Sequence, residues 1–395
     1  MSLTDAEFAI VLVGVGALLT AAFITTNLSR RVGLPSLLLY LGLGLIFGNG
    51  GADDFLFDYP QAVKRCAEMA LGLILFKGGY EFRHELRSKP KVLSEGLTLA
   101  LLGTLTTAFL TAFFVRFALH WTWLESLLLG AVLSSTDAAA VFGVFANQKI
   151  CSKKHEVEVL ELESSTNDPL AFGLVAGLVT IMGGKAMSVG SFVGLVVKEL
   201  FLGILVGTAV GLVMLGLTRL TGQKSESAEI LWLAVLTSAL GFAELTGANP
   251  LITAFIAGVV LSAKGRAGAG FWGPLVSLSE VILFLLLGLQ VFPETLLSNA
   301  GQAIFVSLVL VFVARPLAVL PITSLFHRDA KRSVFISWAG LRGASPIVFG
   351  LMPLIAQTPR CQEIFATVFC VVVFSVLIQG SSLGWAANRL GISEN

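Results

Sequence analysis

The chain has 395 residues, 55% of them hydrophobic and 13% charged, with a formal net charge of +1 and a mean hydropathy of +0.87. A charged fraction about half the soluble norm excludes an ordinary water-soluble fold, and the near-neutral balance without a basic block excludes a nucleic-acid partner. The length suits about a dozen apolar helices of ~20 residues, so the expected fold class is an all-α polytopic membrane protein forming a single membrane domain over residues 1–395.

Gly, Pro and charge punctuation predict 13 transmembrane helices, near 8–28, 34–48, 62–80, 92–115, 124–145, 157–182, 189–217, 227–245, 250–263, 273–291, 301–325, 332–356 and 364–388. The first lacks a basic n-region and a cleavage site, which makes it a permanent span. The loops after the odd-numbered spans, with the tail, carry 17 Lys/Arg, whereas the opposite loops carry Arg116, Lys185 and Arg360. The longest of those opposite loops, NGGADDFLFDYPQ, is acidic. By the positive-inside rule the N-terminus is outside and the C-terminus is cytoplasmic. Cys66, Cys151, Cys361 and Cys370 form no CxxC pair and read as free thiols. His84, His120, His155 and His327 fall in loops or at helix ends, so neither a metal cluster nor a cofactor is expected. Without a GxxxxGK, the 41 glycines indicate close helix packing.

Spans 2 and 9, GLPSLLLYLGLGLIFG (33–48) and ANPLITAFIAGVVLSA (248–263), each reach a glycine eight or nine residues after a proline. Spans 3 and 10 match loosely, with Glu68 opposite Glu280. Seven spans separate each pair, which predicts an inverted-topology repeat. Span 5 then corresponds to span 12, and both contain a break. Ser134, Ser135, Thr136 and Asp137 compete for backbone hydrogen bonds in the first, and Gly340, Gly343 and Pro346 surround Arg342 in the second. At 1.5 Å per residue, Asp137 and Arg342 lie roughly 15–20 Å deep. Two broken helices therefore cross at the midplane, where their half-helix ends favour ions of either sign.

Span 6 carries ESSTNDP at residues 163–169. Glu163 and Asn167 share one helical face, Ser164 and Asp168 another, and Glu161 continues the second stripe toward the cytoplasm. One face suits an arginine, and Glu163 with Arg342 is the expected pair, since a lone midplane charge is costly. Asp168 is left to bind a proton or a cation, and Pro169 frees an acceptor beside it. Asp137 either caps the second half of span 5 or contacts the ion. Arg315, before Pro316 in span 11, reads as a structural charge with no partner named. Glu68 and Glu280 are either solvated, paired with Arg315 or Lys77, or lining a funnel.

ESSTNDP, SSTDAAAVF in span 5, ARPLAV in span 11 and SWAGLRGASPIV in span 12 together resemble the NhaP-type branch of the monovalent cation:proton antiporter superfamily, and in particular its bacterial potassium/proton antiporters. The likeness covers essentially the whole chain. It implies a homodimer in a bacterial inner membrane, with core helices at 92–182 and 301–388 and scaffold and dimerisation helices at 1–80 and 189–291. It implies that Asp168 exchanges a cation for a proton, that Thr136, the Asp137 backbone and Ser164 are further cation ligands, and that Glu163, Asn167 and Arg342 form a structural trio. Relatives with a second Asp at the Asn167 position are electrogenic, so a single cycling carboxylate implies electroneutral exchange. Relatives commonly carry an acid where Lys77 stands. Here Lys77 either pairs with Glu81 one turn on and snorkels to the surface, or reaches the site and competes with cations. The chain stops seven residues after span 13, whereas potassium-type relatives often continue into a cytoplasmic regulatory region, expected here to be absent or truncated.

The expected function is secondary active antiport of K⁺ or Na⁺ against H⁺, with no enzymatic step. A buried carboxylate holds its proton tightly, so proton and dehydrated cation are alternative occupants of Asp168. Both ions take oxygen ligands, and the sequence leaves the choice between them open. A passive channel would need an open pore rather than one titratable carboxylate between broken helices. An intramembrane aspartyl protease built on Asp137 and Asp168 lacks a GxGD context.

Overall fold

The computed structural model describes residues 5–32, 35–49, 58–86, 89–137, 140–141, 151–152, 154–185, 187–221, 226–262, 269–327 and 329–394. The acidic stretch at 50–57 and the end of span 5 at 142–145 lie outside the described residues. In chain order the helices are α1 (Asp5–Val32), α2 (Ser36–Phe47), α3 (Pro60–Leu86), α4 (Pro90–Ala118) and α5 (Trp123–Ser134). They continue as α6 (Lys154–Met182), α7 (Val189–Thr221), α8 (Glu226–Thr246), α9 (Pro250–Leu261) and α10 (Ala269–Leu289). After a short helix, Pro293–Ser298, come α11 (Ala300–Phe326), α12a (Ala330–Trp338), α12b (Ala344–Ile355) and α13 (Cys361–Leu390). The architecture is all-helical apart from a two-residue antiparallel pairing of Cys151–Ser152 with Ser393–Glu394, which fastens the chain after α13 to the connection before α6.

Local signals set the helix starts. Proline opens α4 and α9, where a missing N–H costs nothing. Thr122 and Glu125 form a capping box on α5, the Glu125 carboxylate accepting from the Thr122 N–H at 2.8 Å. Asp329 caps α12a by accepting from the Lys331 N–H at 3.0 Å. Among the described residues, α4, α7, α8, α10, α11 and α13 are long and apolar enough to cross a membrane. α7 exposes Val193, Val197, Phe201, Leu205 and Leu212 along its length, an apolar face suited to lipid or another apolar surface rather than water.

Two close helix crossings organise one side of the molecule. α2 meets α10 where Gly44 faces Gly288, and a Cβ added at Gly44 would come 2.8 Å from the Gly288 Cα. α3 meets α9 through Gly79 and Gly258, where an added Cβ on Gly258 would come 2.8 Å from the Tyr80 nitrogen. Small residues let backbones approach without desolvating polar groups. On the other side α4, α11 and α13 each contain one π-helical turn, at Leu99–Gly103, Leu310–Ala314 and Val376–Gly380. Such a turn inserts one residue and re-aims the side chains beyond it. α6 lies between the two groups, packed on α4, α5, α7 and α12b.

Candidate functional site

Both breaks expected from the sequence are present, and they cross. α5 ends at Ser134, Ser135 is extended, and the chain is again helical at Ala140–Val141. α12a ends at Trp338 and α12b starts at Ala344. The Asp137 N–H donates to the Leu341 carbonyl at 2.9 Å, joining the two irregular stretches. Gly343 makes this approach feasible, because a Cβ there would overlap the Asp137 carboxylate. Asp137 also accepts from the Ala140 N–H at 3.1 Å and so caps the second half of its own broken helix. We expect Gly343→Ala to separate the crossing and lower thermal stability, measurable in detergent against Gly301→Ala, where an added Cβ meets nothing.

Asp168 sits where these elements meet α6. The Ser135 hydroxyl donates to its Oδ1, and the Ser345 hydroxyl donates to its Oδ2 at 2.7 Å. The carboxylate therefore spans both breaks, one oxygen on each. It is 6% exposed, with Ser164 at 8% and Thr136 at 2%. Thr136 receives the Asn167 amide at 2.6 Å and lies 3.2 Å from the Ser164 hydroxyl. Asn167 thus holds the unwound strand of α5 in place, while Ser164, Thr136 and Asp168 present oxygens together. The Pro169 carbonyl is taken by the Asn249 amide at 2.9 Å, whose Oδ1 caps α9. This fastens α6 to the α9 side of the molecule.

The expected pairing of Glu163 with Arg342 is wrong. Glu163 is fully buried and is held bidentately by Arg315 of α11, at 2.5 and 2.9 Å. Arg315 follows the π-turn of α11 and lies against the glycine backbone of the other break, where a Cβ on Gly340 would come 2.5 Å from its Nε. Arg342 instead donates from Nη1 to the Ser134 and Ser135 carbonyls at 3.0 and 2.6 Å. A broken helix exposes orphan carbonyls and a partial negative charge at its C-terminal end. Arg342 neutralises that end of α5, so it needs no carboxylate. Its own backbone N–H is held by Ser375 of α13 at 3.0 Å. A carboxylate is the partner that charge alone suggests for a deep arginine, but the C-terminal end of a broken helix offers a partial negative charge as well.

A cavity of about 530 Å³ leads to Asp168 and is lined, among others, by Lys77, Glu161, Ser164, Asp137 and Glu280. It gathers Asp168, Ser164, Thr136, Asp137, Glu161 and Lys77 at one place. Glu163, Asn167 and Arg342 stand behind it as supports. Lys77 lies 3.8 Å from Glu81 and also lines the cavity, so it has a foot in each of its two expected roles. Glu68 pairs with Lys64 at 2.5 Å, not with Arg315 or Lys77. Ser135 and Ser345 were missed as partners of Asp168. The signal was available, since each sits within two residues of a break residue already singled out. No group of three or more metal-ligating side chains occurs among the described residues.

The family model described as sodium/hydrogen exchanger, transmembrane, matches residues 18–389. The K(+)/H(+) antiporter NhaP of Alkalimonas amylolytica is 33% identical over 95% of this chain and 66% of its own length. The K(+)/H(+) antiporter NhaP2 of Shewanella oneidensis is 32% identical over 94% of this chain and 66% of its own. The chain thus spans just under two thirds of the length of these relatives. The solved structure of the sodium proton antiporter MjNhaP1 from Methanocaldococcus jannaschii superposes with a TM-score of 0.81 at 20% identity, covering 96% of this chain and 99% of that one. At that identity the likeness speaks for the fold.

Proposed function

The chain belongs to the sodium/hydrogen exchanger family, a multi-pass membrane family, and from that premise we propose that it is a secondary active antiporter exchanging K⁺ or Na⁺ for H⁺. The observation that carries the reading is Asp168, a buried carboxylate gripped by one serine from each broken helix and open to a cavity. A cation that sheds water there meets the oxygens of Asp168, Ser164 and Thr136, with the Asp137 main chain at the crossing. A proton on Asp168 removes the charge that draws the cation, so each occupant excludes the other. A bare carboxylate at the midplane costs at least ~2.5 kcal/mol, so only the occupied, neutralised site crosses readily. That couples the fluxes. With Asn167 neutral and engaged on Thr136, one carboxylate cycles and exchange is electroneutral.

The architecture we propose has thirteen crossings in an inverted repeat. Its support is the symmetry of the packing: α2 on α10 mirrors α3 on α9, each a close crossing made through glycines on both helices. The π-turns of α4 and α11 fall in corresponding spans, as do the two breaks. Residues 92–182 and 301–388 form the moving core, and 1–80 and 189–291 the scaffold of a homodimer, for which the exposed apolar face of α7 is suited. On the loop charges we assign the cavity mouth and the C-terminus to the cytoplasmic side, in a bacterial inner membrane as for the NhaP-type relatives.

The test is exchange in proteoliposomes with an internal pH dye, offering Na⁺, K⁺, Rb⁺ and Li⁺ in turn. Saturable, cation-dependent proton movement supports antiport; a steady conductance without saturation contradicts it. The same assay resolves Lys77. Its pairing with Glu81 leads us to expect Lys77→Ala to leave the apparent cation affinity within about twofold, as for a weak i,i+4 pair. A severalfold tighter affinity would make Lys77 an internal competitor.

A further inference from the structure

At the far end of α6 from Pro169, three carboxylates are buried where water would be expected: Glu95 at 1%, Glu156 at 0% and Glu158 at 1% exposure. Permanent cations answer two of them. Lys89 donates to both Glu158 oxygens at 2.6 and 2.7 Å, and the Arg332 Nε lies 3.1 Å from Glu156. Among the described residues, Glu95 is met only by histidines. The His155 Nε2 is 3.1 Å from Oε2, in hydrogen-bonding geometry, and the His327 Nε2 is 3.2 Å from Oε1, at ion-pair distance. Among the described residues, Asp329 lies 3.5 Å from Arg332, and Lys91 and Lys331, neighbours of these residues in sequence, are exposed. Among the described residues the cluster thus holds three buried carboxylates against two fixed positive charges. The third positive charge exists only when an imidazole is protonated.

We propose that Glu95, His155 and His327 form a second proton-binding site, separate from Asp168, whose occupancy holds the ends of α4, α6, α11 and α12a together. Each helix contributes: Glu95 from α4, His155 at the start of α6, His327 at the end of α11, and Arg332 from α12a by way of Glu156. Protonation converts the contacts to Glu95 into charge-assisted bonds. Proton loss leaves a buried carboxylate without a cation, which costs free energy until water enters or the helices part. The hydrogen bond to Glu95 raises the pKa of His155 above the ordinary imidazole value of 6.5, outweighing partial burial. A raised value means that the stabilisation is complete below about pH 6.5 and is lost as pH rises through the folded-state pKa. That this end faces the cytoplasm rests on the orientation proposed above. The site would then read internal pH at the base of the helix that carries Asp168.

This chain, histidine-labelled and held in nanodiscs, tests the site without reference to transport, since it has four histidines. One imidazole resonance, lost in His155→Gln, should titrate above the ordinary value, and Glu95→Gln should return it there. Thermal unfolding gives the second reading: the wild type should lose stability as pH rises above about 6.5, and the double variant His155→Gln with His327→Gln should lose much less. A His155 that titrates at the ordinary value, or one that ignores Glu95→Gln, overturns the proposal. So does an unchanged pH dependence of unfolding in the double variant, which also serves if Glu95→Gln does not fold. If the site titrates as expected but vesicles exchange no cation, the antiport reading fails and this one stands.

Discussion

Asp168→Asn is expected to reduce cation-driven proton movement to the level of protein-free vesicles while the protein stays folded. The amide keeps the shape of the carboxylate and can still accept from one of the two serine hydroxyls, so the junction of α6 with both breaks survives. It can neither take up a proton at ordinary pH nor supply the charge that replaces a cation's hydration shell. Both halves of the cycle therefore stop together. Asp168→Glu should retain partial exchange with an altered cation affinity, because the charge remains but sits one methylene further from Ser135 and Ser345. Saturable exchange in the Asn variant would remove Asp168 from its assigned role.

Glu163→Ala is expected to destabilise the protein by about 3–5 kcal/mol, the usual consequence of stranding one member of a buried ion pair. Arg315 would lose both of its carboxylate contacts at a site where it is 2% exposed. The double variant Glu163→Gln with Arg315→Gln should recover part of the loss, since two neutral amides can satisfy each other. Arg342→Gln combined with Glu163→Gln should show no such recovery, because Arg342 serves the α5 carbonyls instead. Thermal unfolding in one detergent of the wild type, Glu163→Gln, Arg315→Gln and their double variant forms a double-mutant cycle, and Arg342→Gln is set against Glu163→Gln in the same way. Coupling of Glu163 to Arg342 rather than Arg315 would contradict the assignment.

These two expectations also mark what the sequence could and could not disclose. The positions of α1 to α13 follow from apolar length and Gly/Pro punctuation, because a membrane leaves few alternatives to a helix. The breaks were legible for a related reason. SSTD and GLRG are poor continuations of an apolar helix, and at that depth they survive only when something satisfies the backbone. Asp168 stands out as a carboxylate beside a proline, deep in an apolar span, with no dedicated cation. Partner choice was less accessible. Arg315, beside Pro316, and Arg342, between Gly340 and Gly343, are both deep arginines, and nothing in their spacing tells which meets Glu163. The answer depends on the π-turn at Leu310–Ala314 and on the end of α5 reaching Arg342, features of three-dimensional packing. The serines on Asp168 are a middle case: their place beside the break residues marks them in the sequence, but their hydroxyls reach the carboxylate only where the two breaks cross.

The account rests on one carboxylate shared by two competing ligands, and the dependence of apparent cation affinity on pH tests it most directly. In vesicles with an internal pH dye, the initial rate is measured against cation concentration at several pH values, equal on both sides. Competition at Asp168 predicts that acidification weakens the apparent cation affinity progressively while the rate at saturating cation is restored. A cation affinity that stays constant while the saturated rate falls with acidification would mean that proton and cation occupy different groups, and would contradict it.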